Sequence, residues 1–320
     1  MQILRNVFLV GVLVAAGACE REVEFDIQPE APRLAIYAML QPDSLVSVWV
    51  SHSKSVEDST RIRAVTGAEV TITTDGGASY PLKIINARQG HYRADLRARA
   101  GETYHLSVRA GGYPTAEATT RIPEPVVIQS VSHTIVPIGK ATTCPEGFNC
   151  ADTVTRHAIG ITFADPAAEK NYYQVSSYLR YLGERYEYDS LEDAYEAFQD
   201  TLSTIVYNHS LDPAVDGLDF VVYGALYQGY RDYRFTDRLF DGTHYTFDYT
   251  TESDQPDVLG MVVTLTTYHE EAYEYERSSE RSEYFDELFY EPVPLRQNIR
   301  GGYGIFSSFS QDSVVIALDE

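Results

Sequence analysis

The first region with a clear hydrophobic pattern begins at Leu34, where apolar and polar residues alternate with a period close to two. This period places successive side chains on opposite faces of an extended strand. The turn signal Asp75-Gly76-Gly77 and the prolines Pro123 and Pro125 separate and close the runs. The pattern predicts seven short strands, at residues 34–40, 45–52, 68–74, 80–85, 91–96, 103–109 and 115–122. Strands of this number and length predict an immunoglobulin-like or transthyretin-like sandwich over residues 33–123.

The remainder, residues 124–320, is predicted to be a larger β-rich domain with one or two short helices. It is rich in tyrosine: of the 25 tyrosines of the chain, 19 lie between Tyr172 and Tyr290. The alternation of apolar and polar residues predicts strands at residues 126–136, 156–163, 172–182, 220–227, 244–249 and 261–268.

Two stretches of this second region break the β pattern and are predicted to be helical. Residues 190–199 begin with Ser190, a residue type that caps helices, and acidic residues follow it. Residues 270–288 carry Glu, Arg, Ala and Tyr at helical spacing, with a possible break at Ser278 and Ser279. The whole chain is therefore predicted to be mostly β.

The N-terminus has the layout of a bacterial lipoprotein signal. Arg5 precedes an apolar run from Val7 to Ala16, and small residues lead to Cys19. The run is shorter than the roughly 20 apolar residues that a membrane-spanning helix needs. We expect residues 1–18 to be removed and Cys19 to be lipidated. The alternative is an ordinary signal peptide with a chance cysteine, since Ala16 stands where leucine is more common.

Residues 19–32 are predicted to be a tether between the lipid and the first folded unit. They are acidic and end in two prolines, a composition typical of an extended linker. Acidic residues directly after the lipidated cysteine resemble the signal that sends lipoproteins of Bacteroidota to the outer face of the outer membrane. The expected location is therefore the cell outer membrane, lipid-anchored and facing the exterior.

The charge of the chain excludes several classes of partner. The formal net charge is −22, and it becomes −23 when residues 1–18 are removed with their one charged residue, Arg5. Nucleic-acid binding depends on clustered Lys and Arg, so no nucleic-acid partner is expected. A basic patch for anionic lipid is absent as well, which leaves the acyl chains on Cys19 as the membrane anchor. The acidic surface either serves solubility or favours cationic ligands.

Only two cysteines remain after Cys19, namely Cys144 and Cys150. In an exported protein, such a pair most simply forms a disulfide that closes a small loop, worth about 2 kcal/mol by chain-entropy estimates. A metal site is the weaker alternative, because no histidine lies near and the spacing is not that of zinc ligands.

Motifs for catalysis are mostly missing. The sequence has no nucleophile elbow, no phosphate-binding loop and no dinucleotide fingerprint, and the segment Gly301–Gly304 is predicted to be a turn. His269-Glu270-Glu271-Ala272-Tyr273 begins like a zinc-protease helix, but Tyr273 stands where the second histidine belongs. No cofactor and no metal are expected.

Two other acidic or aromatic patterns leave alternatives open. Asp212, Asp216 and Asp219 loosely resemble a calcium loop, although a solvated acidic turn fits better because Tyr223 occupies the position of the bidentate glutamate. A pair of carboxylates for glycoside hydrolysis remains an alternative among the 47 acidic residues. The tyrosines either form a binding surface or pack the sheets. Trp49, the single tryptophan, is expected on a strand facing the core of the first domain.

The order of several short motifs resembles a Bacteroidota lipoprotein family catalogued as domain of unknown function 4249. These motifs run through the mature chain: Cys19, residues 34–40, residues 50–53, residues 67–72, Gly90-His91-Tyr92, residues 101–106, Ile122-Pro123, Asn171-Tyr172-Tyr173, Phe235-Thr236-Asp237, Tyr273-Glu274-Tyr275, Glu291-Pro292 and residues 298–306. The resemblance implies a lipoprotein that is often encoded beside a TonB-dependent outer-membrane receptor. It implies no catalytic residues.

Three hypotheses for the function follow. The first is a non-catalytic binding or accessory protein, anchored in the outer membrane and associated with a TonB-dependent transport system. The second is a surface hydrolase of glycans or peptides that uses an unlocated acidic pair. The third is a structural spacer of the cell envelope, which predicts that no concave pocket is lined by tyrosine.

Overall fold

The computed structural model describes residues 31–54, 61–140, 153–189, 194–206, 208–215, 232–253, 258–285 and 294–317. Strands account for 61 % of the structure and helices for 7 %, which confirms the prediction of a mostly β protein with a sandwich-like arrangement. The described hydrophobic residues form two separate buried clusters. Each cluster lies between two sheets, as the layer rule for β proteins requires.

The first cluster lies between sheets built from the N-terminal strands. These strands are β1 (Leu34–Leu40), β2 (Leu45–His52), β3 (Glu69–Thr74), β4 (Ser79–Pro81), β5 (Lys83–Asn86), β6 (His91–Arg97), β7 (Thr103–Arg109) and β8 (Ala116–Arg121). One sheet contains β1-β2-β6-β5 and the other β4-β3-β7-β8. Ile36 and Val48 from one sheet and Ile72 and Leu106 from the other are buried in the common core. The predicted strand at residues 80–85 is divided in two at the buried Leu82.

The second cluster lies between sheets built from the later strands. Their elements are β9 (Ile128–Lys140), β10 (Thr153–Ala164), β11 (Tyr172–Asp189), β12 (Ala194–Ile205), β13 (Asn208–His209), β14 (Asp232–Thr236), a 3-10 turn (Asp237–Leu239), β15 (His244–Ser253), β16 (Val258–Tyr268), α1 (Glu270–Phe285) and β17 (Tyr303–Ala317). One sheet runs β13-β15-β10-β9, and the facing sheet contains β12-β11-β16-β17 with β14 beside β11. Phe163, Tyr173, Phe235 and Phe247 fill the space between them.

The C-terminal strand β17 belongs to both sandwiches. Its first half pairs in parallel with β1, from Tyr303 opposite Ala35 to Ser308 opposite Leu40. Its second half pairs antiparallel with β16, and one nine-stranded sheet results. Gly304 lies at the start of β17 with φ +104°, and a Cβ there would collide with the carbonyl oxygen of Ile36. The predicted boundary at residues 123 and 124 lies between β8 and β9, and the division into domains stays a prediction.

The predicted helix at residues 190–199 is wrong over its described part. Ala194–Ile205 form strand β12, which pairs antiparallel with β11 from Asp189 opposite Ala194 to Tyr178 opposite Ile205. The capping signal at Ser190 describes only a local preference of the backbone. A continuous ladder of hydrogen bonds to a neighbouring strand overrides that preference.

The predicted helix at residues 270–288 is confirmed for Glu270–Phe285. It is not interrupted at the two serines, because Ser278 donates its hydroxyl to the carbonyl of Tyr275 at 2.9 Å within the continuous helix. Within the described residues, no helix has the length and apolar character needed to cross a membrane.

The expectation that Trp49 faces the core is wrong. Val48 and Val50 take the core positions of β2, so the period of two turns Trp49 to the other face of the sheet. There its ring stacks on His91, with centroids 4.2 Å apart. The lipidation site Cys19, the pair Cys144 and Cys150, and the predicted strand at residues 220–227 lie outside the described residues.

Candidate functional site

A cleft of about 710 Å³ lies where the two sandwiches meet. Its walls come from the chain leaving the first sandwich (within residues 121–126), the connection between β10 and β11 (within residues 166–172) and the junction of β16 with α1 (residues 267–270). Concave sites of a few hundred cubic ångströms are where small ligands bind in most proteins. The cleft is therefore the candidate functional site.

The connection between β10 and β11 is held in place by polar contacts at both of its ends. At its start, Asp165 accepts the hydroxyl of Tyr173 at 2.5 Å and the backbone N–H of Gly242 at 2.8 Å. At its end, the Asn171 side chain donates to the carbonyls of Pro166 and Glu169 at 2.9 and 3.0 Å. These bonds fix the backbone that carries the exposed side chains of the connection into the cleft.

The opposite wall is the beginning of helix α1, which His269 caps. The carbonyl of His269 accepts the N–H groups of Ala272 and Tyr273 at 3.0 and 3.1 Å, and its own N–H donates to Ser308 at 3.0 Å. Burial lowers the pKa of the His269 imidazole, and the neighbouring glutamates only partly oppose this effect. The imidazole is therefore neutral at pH 7.

Tyr172 connects the two walls. It is 4 % exposed, and its hydroxyl donates to Oε1 of Glu270 at 2.6 Å. Its ring packs against Tyr273, with centroids 4.9 Å apart, and the ammonium nitrogen of Lys170 stands 4.6 Å from the ring centroid. Burial and the Glu270 carboxylate raise the pKa of Tyr172, so the phenol stays protonated and continues to donate.

The charged groups of the cleft carry an excess of carboxylates. Glu124, Glu169 and Glu270 line it, against Arg121 and Lys170. Arg121 and Glu169 approach to 3.8 Å, but both side chains are largely exposed, so the pair is weak. Within the part of the chain that the structure describes, Glu124 and Glu270 have no basic partner within 4 Å. The cleft therefore has an acidic character that its own cations do not neutralise.

A second acidic group lies behind the cleft wall, where carboxylate oxygens of Asp165, Asp237 and Asp241 lie within 4.8 Å of one another. Burial and the two other carboxylates raise the pKa of Asp165. Such oxygens could hold a cation. However, both oxygens of Asp165 accept hydrogen bonds from the fold, and Oδ2 of Asp237 accepts the backbone N–H of Asn171 at 2.7 Å. These contacts give the group a structural role.

The structure separates the residues that the sequence placed in possible metal sites. Tyr273 is 1 % exposed and packs in the interior, while His269 lies at the helix start. Asp212 accepts the N–H of Ala214 at 2.8 Å and the hydroxyl of Tyr245 at 2.6 Å, which makes it a turn residue. Asp216 and Asp219 lie outside the described residues.

The described tyrosines of the second sandwich mainly pack its sheets. Five of them are buried, with exposed fractions of 0 to 6 %: Tyr172, Tyr173, Tyr233, Tyr249 and Tyr273. Sequence reasoning missed Lys170 and Glu124 as residues of one site. The only local signal was that Lys170 directly precedes the motif Asn171-Tyr172-Tyr173, and nothing in the sequence brings this motif next to Glu124.

The chain belongs to the family described as "Domain of unknown function (DUF4249)", whose model matches residues 20–314. No curated protein matches the chain significantly.

Several solved structures are similar to the chain at a low level. A DUF4785 family protein from Legionella pneumophila has 8 % identity and a TM-score of 0.23, over 74 % of this chain and 53 % of that one. The T6 backbone pilin of Streptococcus pyogenes has 8 % identity and a TM-score of 0.20, over 91 % and 65 % of the two chains. The C-terminal domain of the Streptococcus agalactiae AgI/II polypeptide BspA has 8 % identity and a TM-score of 0.17, over 89 % and 99 %. The chain thus spans about half the length of the Legionella protein.

Proposed function

We propose that this protein is a lipid-anchored ligand-binding or accessory protein of the outer membrane, that it works with a TonB-dependent transport system, and that it is not an enzyme. The observation that carries the proposal is the cleft between the two sandwiches. It combines a concave surface with aromatic and charged side chains, which is the usual composition of a binding site. Its described lining residues include no serine or cysteine, and the one hydroxyl that donates to a carboxylate there, that of Tyr172, belongs to a side chain that is only 4 % exposed.

The N-terminal sequence supports the location in this proposal. A lipid on Cys19 would hold the protein at a membrane, and the acidic tether of residues 19–32 would let the two sandwiches reach a neighbouring protein. Association with a TonB-dependent receptor rests on the family resemblance alone. A cleft at the membrane surface could then deliver its ligand to the receptor, or the sandwiches could cover the barrel.

The two rival functions have less support. A hydrolase of the glycosidase type needs a pair of carboxylates beside the substrate. Asp165 and Asp237, whose carboxylate oxygens lie within 4.8 Å of each other, are buried and accept hydrogen bonds from the fold. A pure spacer predicts no tyrosine-lined concavity, whereas Tyr172 and Tyr268 line the cleft.

The membrane anchor is tested by fractionating cells that express Cys19→Ala. We expect this variant to fold and to leave the membrane fraction, because the acyl chains are the only anchor in the proposal. The control is the double variant Cys144→Ala/Cys150→Ala, which keeps Cys19 and should remain in the membrane. Retention of Cys19→Ala in the membrane would contradict the lipid anchor.

The partner is tested by extracting the wild-type protein with mild detergent and identifying what co-purifies. A TonB-dependent outer-membrane barrel should be recovered with it, and uptake by that barrel should fall when the lipoprotein is deleted. Recovery of the free protein alone, with uptake unchanged on deletion, would refute the accessory function.

A further inference from the structure

We propose that the cleft binds its ligand through a positively charged ammonium group, and that the Lys170 ammonium competes with this group for the same position on Tyr172. The inference rests on the proposed function, since it names the chemistry of the ligand that the cleft would take.

The ammonium group of Lys170 contacts the ring of Tyr172. A cation within about 6 Å of a ring centroid is attracted by the negative face of the ring. The Lys170 ammonium nitrogen lies 4.6 Å from the Tyr172 centroid and meets this condition. Lys170 is exposed, whereas Tyr172 is buried. Both residues line the cleft, so a ligand that enters it can reach the exposed lysine and replace it on the ring.

Carboxylates outnumber Arg and Lys side chains in the cleft that contains this ring. Glu270 is oriented by the Tyr172 hydroxyl at 2.6 Å and lies in the first turn of α1, where the helix dipole favours a negative charge. Glu124 lies on the wall that leaves the first sandwich. Neither carboxylate has a basic partner within 4 Å in the described part of the chain. A ligand ammonium would bring a further positive charge into a cleft whose carboxylates outnumber its Arg and Lys side chains.

The size of the cleft and the net charge of the chain also bear on the ligand. A cleft of about 710 Å³ is far larger than one ammonium group, so it has space for the remainder of a small ligand or a peptide segment. The net charge of −22 attracts cations toward the molecule and repels anions. Both properties favour a cationic ligand over a neutral or anionic one.

Lys170 competes with a ligand ammonium for the ring of Tyr172. A tethered lysine on Tyr172 must leave before a ligand ammonium takes its place, and this lowers the apparent affinity. An alanine at position 170 would leave the ring uncovered without touching the polar contacts that fix the connection, which Asp165 and Asn171 provide. Removing the lysine should therefore strengthen the binding of a cation.

The experiment uses the mature lipidated chain in a nonionic detergent without sugar or choline groups. Two peptides, acetyl-Gly-Lys-Gly-amide and its norleucine analogue, are titrated by calorimetry against wild type and Lys170→Ala. We expect the lysine peptide to bind the wild type more tightly than the analogue, and Lys170→Ala to bind it about two- to fivefold more tightly again. The matched control is Lys83→Ala, an exposed lysine of β5, which should leave the affinity unchanged.

Two further variants test the site itself in the Lys170→Ala background. Glu270→Gln keeps the shape of the side chain and should weaken the lysine peptide at least threefold, with less effect at high salt, while the analogue is unaffected. Tyr172→Leu should remove the preference for lysine, and circular dichroism checks its fold. Equal binding of the two peptides, no binding of either, or no gain from Lys170→Ala would overturn the inference. Co-purification with the barrel would be unchanged by those outcomes, so the proposed function is judged separately.

Discussion

At the scale of single residues, the structure shows which polar side chains the β-sheets bury and how they are accommodated. His157 on β10 is 3 % exposed and stacks on His133 of β9, with Nδ1 of one ring 3.1 Å from Nε2 of the other. Thr155 lies 3.4 Å from the remaining nitrogen of His157, and the cross-strand neighbour Thr251 is fully buried. Burial and the charge of His133 lower the pKa of His157 from 6.5 to about 4.

Because the pKa of His157 is lowered, we expect the protein to lose stability in mild acid. Between pH 6.5 and about 4 the unfolded chain binds a proton at position 157 that the folded chain does not, so the free energy of unfolding falls as the pH is lowered. Above pH 6.5 the contribution is complete. Urea unfolding at several pH values should show a shallower pH dependence in His157→Gln than in wild type. His244→Gln, at an exposed strand position, is the control and should keep the wild-type slope. Equal slopes for wild type and His157→Gln would contradict the assignment.

At the scale of elements, helix α1 is fixed to the sheet by an ion pair that is buried on one side only. Arg234 of β14 is 7 % exposed and approaches Glu280 at 2.5 Å and Glu276 at 4.0 Å, whose side chains are 42 % and 33 % exposed. The carboxylates raise the pKa of Arg234 further, against the effect of burial. Removing Arg234 and removing the two glutamates should therefore lower the free energy of unfolding by different amounts.

This asymmetry predicts unequal effects of removing the two sides. Glu276→Gln/Glu280→Gln leaves a buried guanidinium without a carboxylate and should lower the free energy of unfolding by about 3–5 kcal/mol. Arg234→Leu leaves carboxylates that water can reach, so it should cost less. Chemical denaturation measures both. The control is Glu117→Gln, which removes an exposed pair with Arg300 and should cost at most about 1 kcal/mol. A larger loss for Arg234→Leu than for the double variant would contradict this account.

At the scale of the whole molecule, strand β17 makes the last segment of the chain part of both sandwiches. It pairs with β1, the first strand, and with β16 of the second sandwich. Phe306 of β17 lies in the first core, and Val314 and Ile316 pack against the second. Both cores therefore depend on a strand that follows all the other described strands in the sequence.

This dependence predicts that the chain cannot complete either sandwich until β17 is present. A variant that ends at residue 302 should lose the cooperative unfolding transition and the near-ultraviolet circular dichroism of both sandwiches, because β1 and β16 each lose a paired neighbour and the first core loses Phe306. A variant that ends at residue 317 keeps β17 and serves as the control. A transition of wild-type midpoint in the shorter variant would show that the sandwiches fold without β17.

Features that depend on local patterns could be predicted from the amino-acid sequence. Alternation placed β1, β2 and β7 at their observed bounds, since a strand with one buried face must repeat every two residues. Helical spacing located α1 in the same way. The order of short motifs was enough to indicate the family, and the N-terminal pattern was enough to predict lipidation at Cys19.

Features that depend on distant partners could be seen only in the folded chain. The stretch that begins β12 has a helix-like local signal and becomes a strand because β11 offers it a ladder of hydrogen bonds. Trp49 faces away from the core because Val48 and Val50 occupy it. The cleft joins Glu124, Lys170 and Glu270 from three separate segments. No local sequence pattern predicts that these residues are close in space, because only the pairing of distant strands brings their segments together.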